Sequence, residues 1–190
     1  MRILDFKQAR VWATSDTHFN HANICAYSGR PFASIGQMNE ALIAYWNSVV
    51  EPNDIVIHMG DFAMGDRSLI PDILFRLNGH ITMIAGNHDN KRDDRYYMEV
   101  IREPAVLKYQ DLTIELRHNP AKVRGLGDIA FCGHVHEKWA YKAKGEIAPE
   151  YLTREHSDPA FEVLVPTYNV GVDVRNYLPQ LIEQILAAHT

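Results

Sequence analysis

The chain has 190 residues, of which 46% are hydrophobic and 23% charged, as expected for one soluble globular domain with a sizeable core. Its formal net charge of −5 argues against an extended surface for duplex nucleic acid, which needs clustered lysine and arginine. Two cysteines cannot form a disulfide framework, and neither a signal peptide nor an apolar run of ~20 residues is recognisable, so we expect a reduced, cytoplasmic protein without a membrane partner.

The first half of the chain predicts strands that alternate with helices. Three of residues 11–14 are β-branched or aromatic, which predicts a short buried strand. Ser34 and Gln37 have the form of a capping box, and the helix that follows is expected to bury Met38, Leu42, Tyr45, Trp46 and Val49. Residues 55–57 and 81–85 predict two more strands, with a helix at 69–77 between them. This alternation is typical of βαβ units and a largely parallel sheet.

The second half is rich in predicted strands. Residues 106–109 and 112–116 predict a hairpin, residues 129–132 and 168–172 predict two further strands, and residues 178–188 a closing helix. We therefore expect a second sheet packed on the first, within a single domain that spans residues 1–190. The polar stretch 137–162 is broken by two prolines and is interpreted as a surface excursion, with a lid or an oligomer contact as the alternative.

Five short fragments rich in metal-binding side chains each follow a predicted strand. They are Asp16-Thr17-His18, Gly60-Asp61, Gly86-Asn87-His88-Asp89, His118-Asn119-Pro120 and Gly133-His134-Val135-His136. Their carboxylates, carboxamide and imidazoles suit two divalent metals held side by side, with one histidine left over. Two adjacent metals are typical of phosphoester chemistry.

The positions of these fragments favour one shared site. Ligands of open α/β sheets gather beyond the carboxyl ends of the strands, so residues that are distant in sequence can converge there. Gly60, Gly86 and Gly133 have no Cβ, which lets the chain turn sharply and pass close to a metal or a phosphate. The alternative is a set of solvated loops and core histidines, but a random scatter would not place these residues after separate apolar runs.

The order of the fragments resembles the calcineurin-like metallophosphoesterase family over residues 11–173. The stretch from Asp16 to His21, together with Arg30-Pro31-Phe32, is similar to a compact bacterial and phage branch of that family. The resemblance implies a four-layer α/β/β/α sandwich, with two mixed β-sheets flanked by helices. This fold agrees with the order of the predicted elements.

The resemblance also implies two metal sites. Asp16, His18 and His136 would hold the first metal, Asn87, His118 and His134 the second, and Asp61 would bridge both. Manganese is the preferred metal, with iron, zinc or nickel as alternatives, because carboxylate and imidazole ligands suit these ions better than calcium. With two divalent metals, such a site would attract a phosphate although the whole chain is acidic.

The family mechanism is hydrolysis in one step by a hydroxide that bridges the metals. The resemblance makes His88 the general acid that protonates the leaving oxygen and Asp89 its orienting partner, with a metal ligand or a loop histidine as the alternative reading of His88. Asn20, His21 and Arg30 would line the substrate pocket. Arg30 is the best candidate for a phosphate clamp, and a surface salt bridge is its alternative. Nothing selects among Arg92, Arg117 and Arg124 as further contacts.

The leading prediction for function is a dinuclear phosphodiesterase that acts on a small or nucleotide-like ester. A phosphomonoesterase or protein phosphatase is the nearest alternative. A DNA exonuclease is disfavoured, because that branch of the family usually adds a capping domain and the chain leaves little room for one. A non-catalytic scaffold of the same fold is the alternative from another class, and the intact acidic, amide and histidine positions argue against it. The sequence leaves the substrate, the metal and the oligomeric state open.

Overall fold

A computed structural model describes residues 1–6, 9–102, 104–152 and 157–187. In chain order, its strands are β1 (Arg2–Asp5), β2 (Val11–Thr14), β3 (Ile55–His58), β4 (His80–Ile84), β5 (Glu99–Ile101), β6 (Ala105–Tyr109), β7 (Leu112–Leu116), β8 (Ile129–Cys132), β9 (Tyr141–Lys142), β10 (Ile147–Ala148), β11 (Tyr151–Leu152), β12 (Ser157–Asp158), β13 (Phe161–Glu162), β14 (Thr167–Asn169) and β15 (Gln180–Leu181). Its α-helices are α1 (Ile24–Tyr27), α2 (Ile35–Val49), α3 (Ile70–Arg76) and α4 (Ile182–Ala187).

One sheet has five strands in the order β15-β2-β3-β4-β5. β2, β3, β4 and β5 are parallel, so their carboxyl ends meet at one edge. The strands predicted at 11–14, 55–57 and 81–85 correspond to β2, β3 and β4. The antiparallel edge strand β15 is not predicted, because the apolar spacing around it favours a helix. Leu181 pairs with Trp12 instead, and the closing helix begins at Ile182.

The other sheet has six strands in the order β1-β6-β7-β8-β14-β9. The predicted hairpin is confirmed, since β6 and β7 are antiparallel around Gln110, whose φ is 53°. β7, β8 and β14 run parallel, so they too end at a common edge. The strand predicted at 168–172 is shorter than expected and passes into a 3₁₀ turn at Val172. The predicted end of the closing helix at residue 188 lies outside the described residues.

The two sheets pack against each other through alternate residues of their strands. Val11 and Ala13 of β2 lie in the core between the sheets, with Leu107 and Phe131 of the second sheet. Trp12 of the same strand lies in a separate cluster with residues of α2 and α3, on the outer face of the five-stranded sheet. This alternation follows from the two-residue period of a strand. Two mixed sheets with flanking helices confirm the predicted fold class.

Helix α2 begins at its predicted cap. The Ser34 hydroxyl accepts a hydrogen bond from the Gln37 N–H at 3.1 Å, and the Gln37 side chain accepts one from the Ala33 N–H at 2.6 Å. The helix buries Met38, Leu42, Ile43 and Trp46 as a stripe. The prediction that Tyr45 is buried is wrong, because Ile43 completes this stripe and Tyr45 remains 42% exposed.

Residues 137–162 are partly built into the fold. Strand β9 extends the six-stranded sheet, and β10–β13 and β11–β12 form two small antiparallel pairs. Ala148 is fully buried, so the described part of this stretch is not a wholly exposed loop. No helix in the described part of the chain has the length and apolar character needed to span a bilayer.

Candidate metal centre

The predicted ligands follow the carboxyl ends of strands from both sheets. β2, β3 and β4 lead to the fragments of the five-stranded sheet, and β7 and β8 lead to those of the six-stranded sheet. Several residues of the loops after these strands have a left-handed backbone, with φ between 44° and 72° at Asp16, His18, Asn20, Asp61, His134 and His136. Each such position costs roughly 1–3 kcal/mol for a residue other than glycine, and such strain concentrates at functional sites.

One ligand group contains Asp16, His18 and His136. Their donor atoms all lie within 4.8 Å of one another, and the rings of His18 and His136 are stacked at 5.1 Å. Both ring nitrogens of His18 are buried and have no hydrogen-bond partner among the described residues. Because a buried polar atom without a partner is costly, this arrangement fits a metal ion as the missing partner.

A second group contains Asn87, His118 and His134. The Asn87 Oδ1 lies 3.0 Å from His118 Nε2 and 3.0 Å from His134 Nδ1. The rings of the two histidines meet edge to face at 5.1 Å. One amide oxygen and two imidazoles thus converge on one point, as the resemblance implies for the second metal.

Asp61 lies between the two groups. Its Oδ2 is 3.7 Å from His18 Nε2 in the first group and 3.3 Å from His118 Nε2 in the second. Its donor atoms also lie within 4.8 Å of those of Asp16 and His118. Burial opposes ionisation of Asp61, but the facing histidines, His118 above all, hold its pKa well below the usual range. The carboxylate is therefore charged and close to both groups.

Three of the ligand histidines are held in one tautomer, because one ring nitrogen of each is hydrogen-bonded to a carbonyl or a carboxylate. The Nδ1 of His118 donates to the Met59 carbonyl at 2.8 Å, so its Nε2 carries the lone pair when the ring is neutral. His134 Nε2 lies 2.6 Å from an oxygen of Asp158, and His136 Nδ1 lies 2.8 Å from one of Asp173. Such partners are typical of metal-ligating histidines. These donors therefore fit the two implied metals.

The charge on His118 depends on its neighbours. Burial lowers its pKa, but the charge and hydrogen bond of Asp61 outweigh burial and raise the pKa to about 10 in the metal-free protein. A metal needs the neutral imidazole, so its binding at this position releases a proton.

Glycine permits the close approach of the loops at two positions. A Cβ at Gly133 would lie 2.0 Å from Ser15 Oγ and 2.4 Å from Asp16 Oδ2. A Cβ at Gly86 would lie 2.1 Å from Asp61 Oδ1. Both clashes involve atoms at the centre of the site, as the sequence interpretation of these glycines expects. The backbone N–H of His134 then donates to both oxygens of Asp16 at 3.1 and 2.9 Å, which links the two sheets.

Arg30 does not occupy the predicted position of a phosphate clamp. Its Nε and Nη2 bind the two oxygens of Asp173 at 2.7 and 3.0 Å, and its side chain is fully buried. Its remaining N–H groups donate to the carbonyls of Asp16 and Thr17 and to the sulfur of Met38. All its donors are therefore used inside the protein. Arg30 does form a salt bridge, which is the alternative prediction. This bridge is buried, however, and not on the surface as predicted, and it positions the loop of Asp16.

Asp89 contacts the backbone of two metal-binding loops. Its oxygens accept hydrogen bonds from the N–H groups of Asp61, Phe62 and Gly86, at 2.7, 3.1 and 2.8 Å. These contacts hold the loop of Asp61, a role that differs from the predicted orientation of His88. Burial and the charge of Asp61 raise the pKa of Asp89 above its usual value.

His88 lies at the opening of the site. Its Nε2 is 3.9 Å from Asp61 Oδ2, and its side chain is 17% exposed, against 2% for His18. Its backbone N–H donates to Asp61 Oδ1 at 3.0 Å, and its carbonyl accepts from Arg67 at 2.7 Å. The ring is thus close to the shared carboxylate and can be reached from solvent.

The other two predicted pocket residues lie on the loop after His18. The Asn20 side chain is bonded to Asn39 at 2.6 Å and to the Asp66 carbonyl at 3.3 Å, so its amide stabilises the loop. The His21 ring lies 5.3 Å from that of His18, next to the first ligand group. The structure therefore brings His21 close to the site and places Asn20 in the structural support of this loop.

Comparison with known proteins assigns the family. A sequence model for the calcineurin-like phosphoesterase superfamily domain matches residues 10–148. The chain belongs to the calcineurin-like phosphoesterase superfamily. It is 33% identical over 179 residues to the uncharacterized protein MJ1445 of Methanocaldococcus jannaschii. This alignment covers 93% of this chain and 89% of that protein.

A solved structure shares the fold of this chain. The protein of unknown function AQ665 from Aquifex aeolicus aligns with a TM-score of 0.69 at 22% identity, over 95% of this chain and 100% of that one. A novel archaeal phosphodiesterase aligns with a TM-score of 0.44 at 19% identity, over 85% of this chain and 83% of that one. The family model establishes the family, and the AQ665 structure supports the fold.

Sequence reasoning misses three residues that support the candidate metal centre. Asp173 comes directly after the predicted strand at 168–172. The ligands are predicted from the same position after a strand, so this pattern could have identified Asp173 as well. Asp158 lies in the stretch without a readable pattern, where no signal points to it. His58 is fully buried at the end of β3, accepts from the Gly60 N–H at 3.2 Å and contacts the Thr17 hydroxyl at 3.0 Å. It thereby joins the loops of Asp16 and Asp61.

Proposed function

We propose that this phosphoesterase is a dinuclear, manganese-dependent hydrolase that prefers small or nucleotide-like phosphodiesters. The observation that carries the proposal is the position of Asp61, whose Oδ2 faces a histidine of each ligand group, at 3.7 and 3.3 Å. Asp16, His18 and His136 would hold one ion and Asn87, His118 and His134 the other. Two bound divalent ions would activate water and neutralise charge on the phosphate.

The chain's own residues prepare the site for that chemistry. Asp158 and Asp173 fix the orientation of a ligand histidine in each group, at 2.6 and 2.8 Å. Arg30 holds Asp173 and the carbonyls that flank Asp16, so a buried ion pair supports the first group. In the second group, Asp158 also accepts a hydrogen bond from the amide of Asn119 at 2.9 Å.

His88 is the proposed general acid. An imidazole that carries a proton at Nε2 can transfer it to the leaving oxygen. The contacts of its backbone with Asp61 and Arg67 hold the residue in place. Its exposure of 17% leaves the ring accessible to a substrate that binds the metals.

The preference for diesters is supported by the occupied donors of Arg30. A monoester carries a second negative charge, which a free guanidinium beside the first group would neutralise. Arg30 cannot serve in this way, because its donors bind Asp173, two carbonyls and Met38. A diester with one negative charge needs no such partner.

The function is tested by reconstituting the metal-free protein with Mn²⁺. We expect two ions per chain by elemental analysis, and a higher kcat/KM for bis(4-nitrophenyl) phosphate than for 4-nitrophenyl phosphate. A single ion under saturating Mn²⁺ would contradict the dinuclear site. A higher kcat/KM for the monoester would favour a phosphomonoesterase, and no turnover of either ester would favour a non-catalytic protein.

His88→Asn tests the general acid. The variant should keep its metals and lose about 10²–10⁴-fold in kcat for an ester with an alkoxide leaving group. The loss should be much smaller for a nitrophenolate leaving group, which scarcely needs a proton. Equal losses for both leaving groups, or a lower metal content, would show that His88 is a ligand or a structural residue.

A further inference from the structure

A cavity of about 420 Å³ adjoins the second ligand group. Asn87, His118 and His134 contribute to its lining on the metal-binding side. Three cations also line it, namely Arg102, Arg117 and Lys122. The cavity is therefore continuous with the site proposed for the second metal and is large enough for more than the reacting phosphate.

Arg117, which lines this cavity, has a donor without a partner in the described part of the chain. Its Nε donates to Glu115 at 2.9 Å, and its side chain is only 12% exposed. Its Nη2 is buried and has no hydrogen-bond partner among the described residues. Glu115 is fully buried and also accepts from the backbone N–H groups of Arg124 and Leu126, so its position is fixed. The guanidinium is thus held in place with at least one donor left for a ligand.

Two of the three cations that line the cavity are paired with carboxylates outside the lining. Asp158 is the one carboxylate among its lining residues in the described chain, and both of its oxygens are bonded, to His134 and Asn119. Arg102 is paired with Asp94 outside this lining, at 2.6 and 3.2 Å. Lys122 is exposed at the rim. Arg102 and Arg117 are thus balanced by Asp94 and Glu115, and Asp158 is bonded to His134 and Asn119, so the groups of the lining that can attract an anion are Lys122 and the unpartnered Nη2 of Arg117.

We propose that this cavity binds a second phosphoryl group of the substrate, with Arg117 and Lys122 as its main contacts. The substrate would then be a phosphodiester in which one of the two alcohol parts carries a further phosphate, such as a phosphorylated nucleoside ester. The planar guanidinium of Arg117 suits phosphate oxygens, and the flexible Lys122 adds a point charge. This inference rests on the proposed hydrolase function and specifies its substrate class.

The test compares two esters that differ by one phosphate. They are thymidine 3′-(4-nitrophenyl phosphate) and the same compound with a 5′-phosphate, each assayed with the Mn²⁺-loaded protein. We expect the 5′-phosphorylated ester to have a KM lower by roughly tenfold or more, because a hydrogen bond to a charged group contributes about that much. The ratio of the two kcat/KM values, with the 5′-phosphorylated ester in the numerator, measures how much the second phosphate contributes to catalysis.

Two substitutions remove the proposed contacts, and one serves as a control. Arg117→Gln and Lys122→Gln should each bring the ratio towards one. Arg76→Gln removes an exposed arginine that pairs with Glu40 on the helical face, and it should leave the ratio unchanged. Arg117→Gln leaves Glu115 without its charged partner, so Lys122→Gln, at an exposed position, keeps the test decisive if the first variant unfolds.

The outcomes separate this inference from the proposed function. A wild-type ratio near one, or an unchanged ratio in both variants, overturns the second phosphate site and leaves the hydrolase proposal standing. If neither ester is cleaved, the hydrolase proposal fails, and calorimetric binding of thymidine 3′,5′-bisphosphate against thymidine 3′-phosphate decides the inference. Tighter binding of the bisphosphate that depends on Arg117 or Lys122 supports the subsite, and equal binding overturns it.

Discussion

Asp158→Asn is expected to weaken the second metal site alone. Asp158 uses one oxygen for His134 at 2.6 Å and the other for the amide of Asn119 at 2.9 Å. An asparagine has a single acceptor oxygen, so if that oxygen faces His134 its NH₂ group meets the NH₂ group of Asn119. The substitution also removes the negative charge that makes the imidazole a better ligand.

The size of the effect follows from the exposure of the side chain. Loss of such a partner usually costs 10–100-fold in metal affinity. The Asp158 side chain is 24% exposed, so water can replace the lost bond to Asn119. We therefore expect a loss near the lower limit, about tenfold or ~1.4 kcal/mol.

Calorimetric titration of the metal-free protein with Mn²⁺ measures this loss. The wild type should show two binding events, and Asp158→Asn should weaken one of them by about tenfold. Asp72→Asn, on the exposed first turn of α3, is the matched control and should change neither. An unchanged affinity, or equal weakening of both events, would refute the argument that Asp158 acts through His134.

Two further predictions concern the loops around the site. Gly133→Ala should reduce metal binding and lower the unfolding free energy by roughly 1–3 kcal/mol, because the added Cβ would clash with Ser15 and Asp16. The control is Gly36→Ala, whose added Cβ would have its nearest neighbour 4.0 Å away. Both variants are compared with the wild type by chemical unfolding, and equal stability of the two would contradict the clash. Burial lowers the pKa of His58 to about 3, below its unfolded value near 6.5, so its stabilising contribution is complete above that value and is lost as the pH falls towards 3. Between pH 7 and 5 the metal-free wild type should therefore lose about 2 kcal/mol more than His58→Asn in urea unfolding, and parallel losses would show that His58 is charged in the folded protein.

The sequence by itself determined most of the strands and the positions of the ligands relative to them. Short apolar and β-branched runs form strands wherever both faces are buried, as in β2 and β8, whose residues are all buried. Because parallel strands end at a common edge, the polar residues after them are brought together without further information. This is why Asp16, Asp61 and His118 converge as expected. Tyr45 and β15 could not be placed in this way, because helical spacing does not say which neighbouring stripe faces the sheet.

Only the tertiary structure decided how the side chains around the ligands are paired. Arg30 and Asp173 are separated by 143 positions, yet they form a buried ion pair that uses the guanidinium predicted to bind phosphate. Asp158 reaches His134 from a stretch without a regular pattern. Arg117 is distinguished from other surface arginines by its place in a cavity and by an unpartnered donor, since its local sequence contains no such signal. Hydrogen bonds and ion pairs depend on distances between groups that are remote along the chain, and hydrophobic periodicity carries no information about those distances.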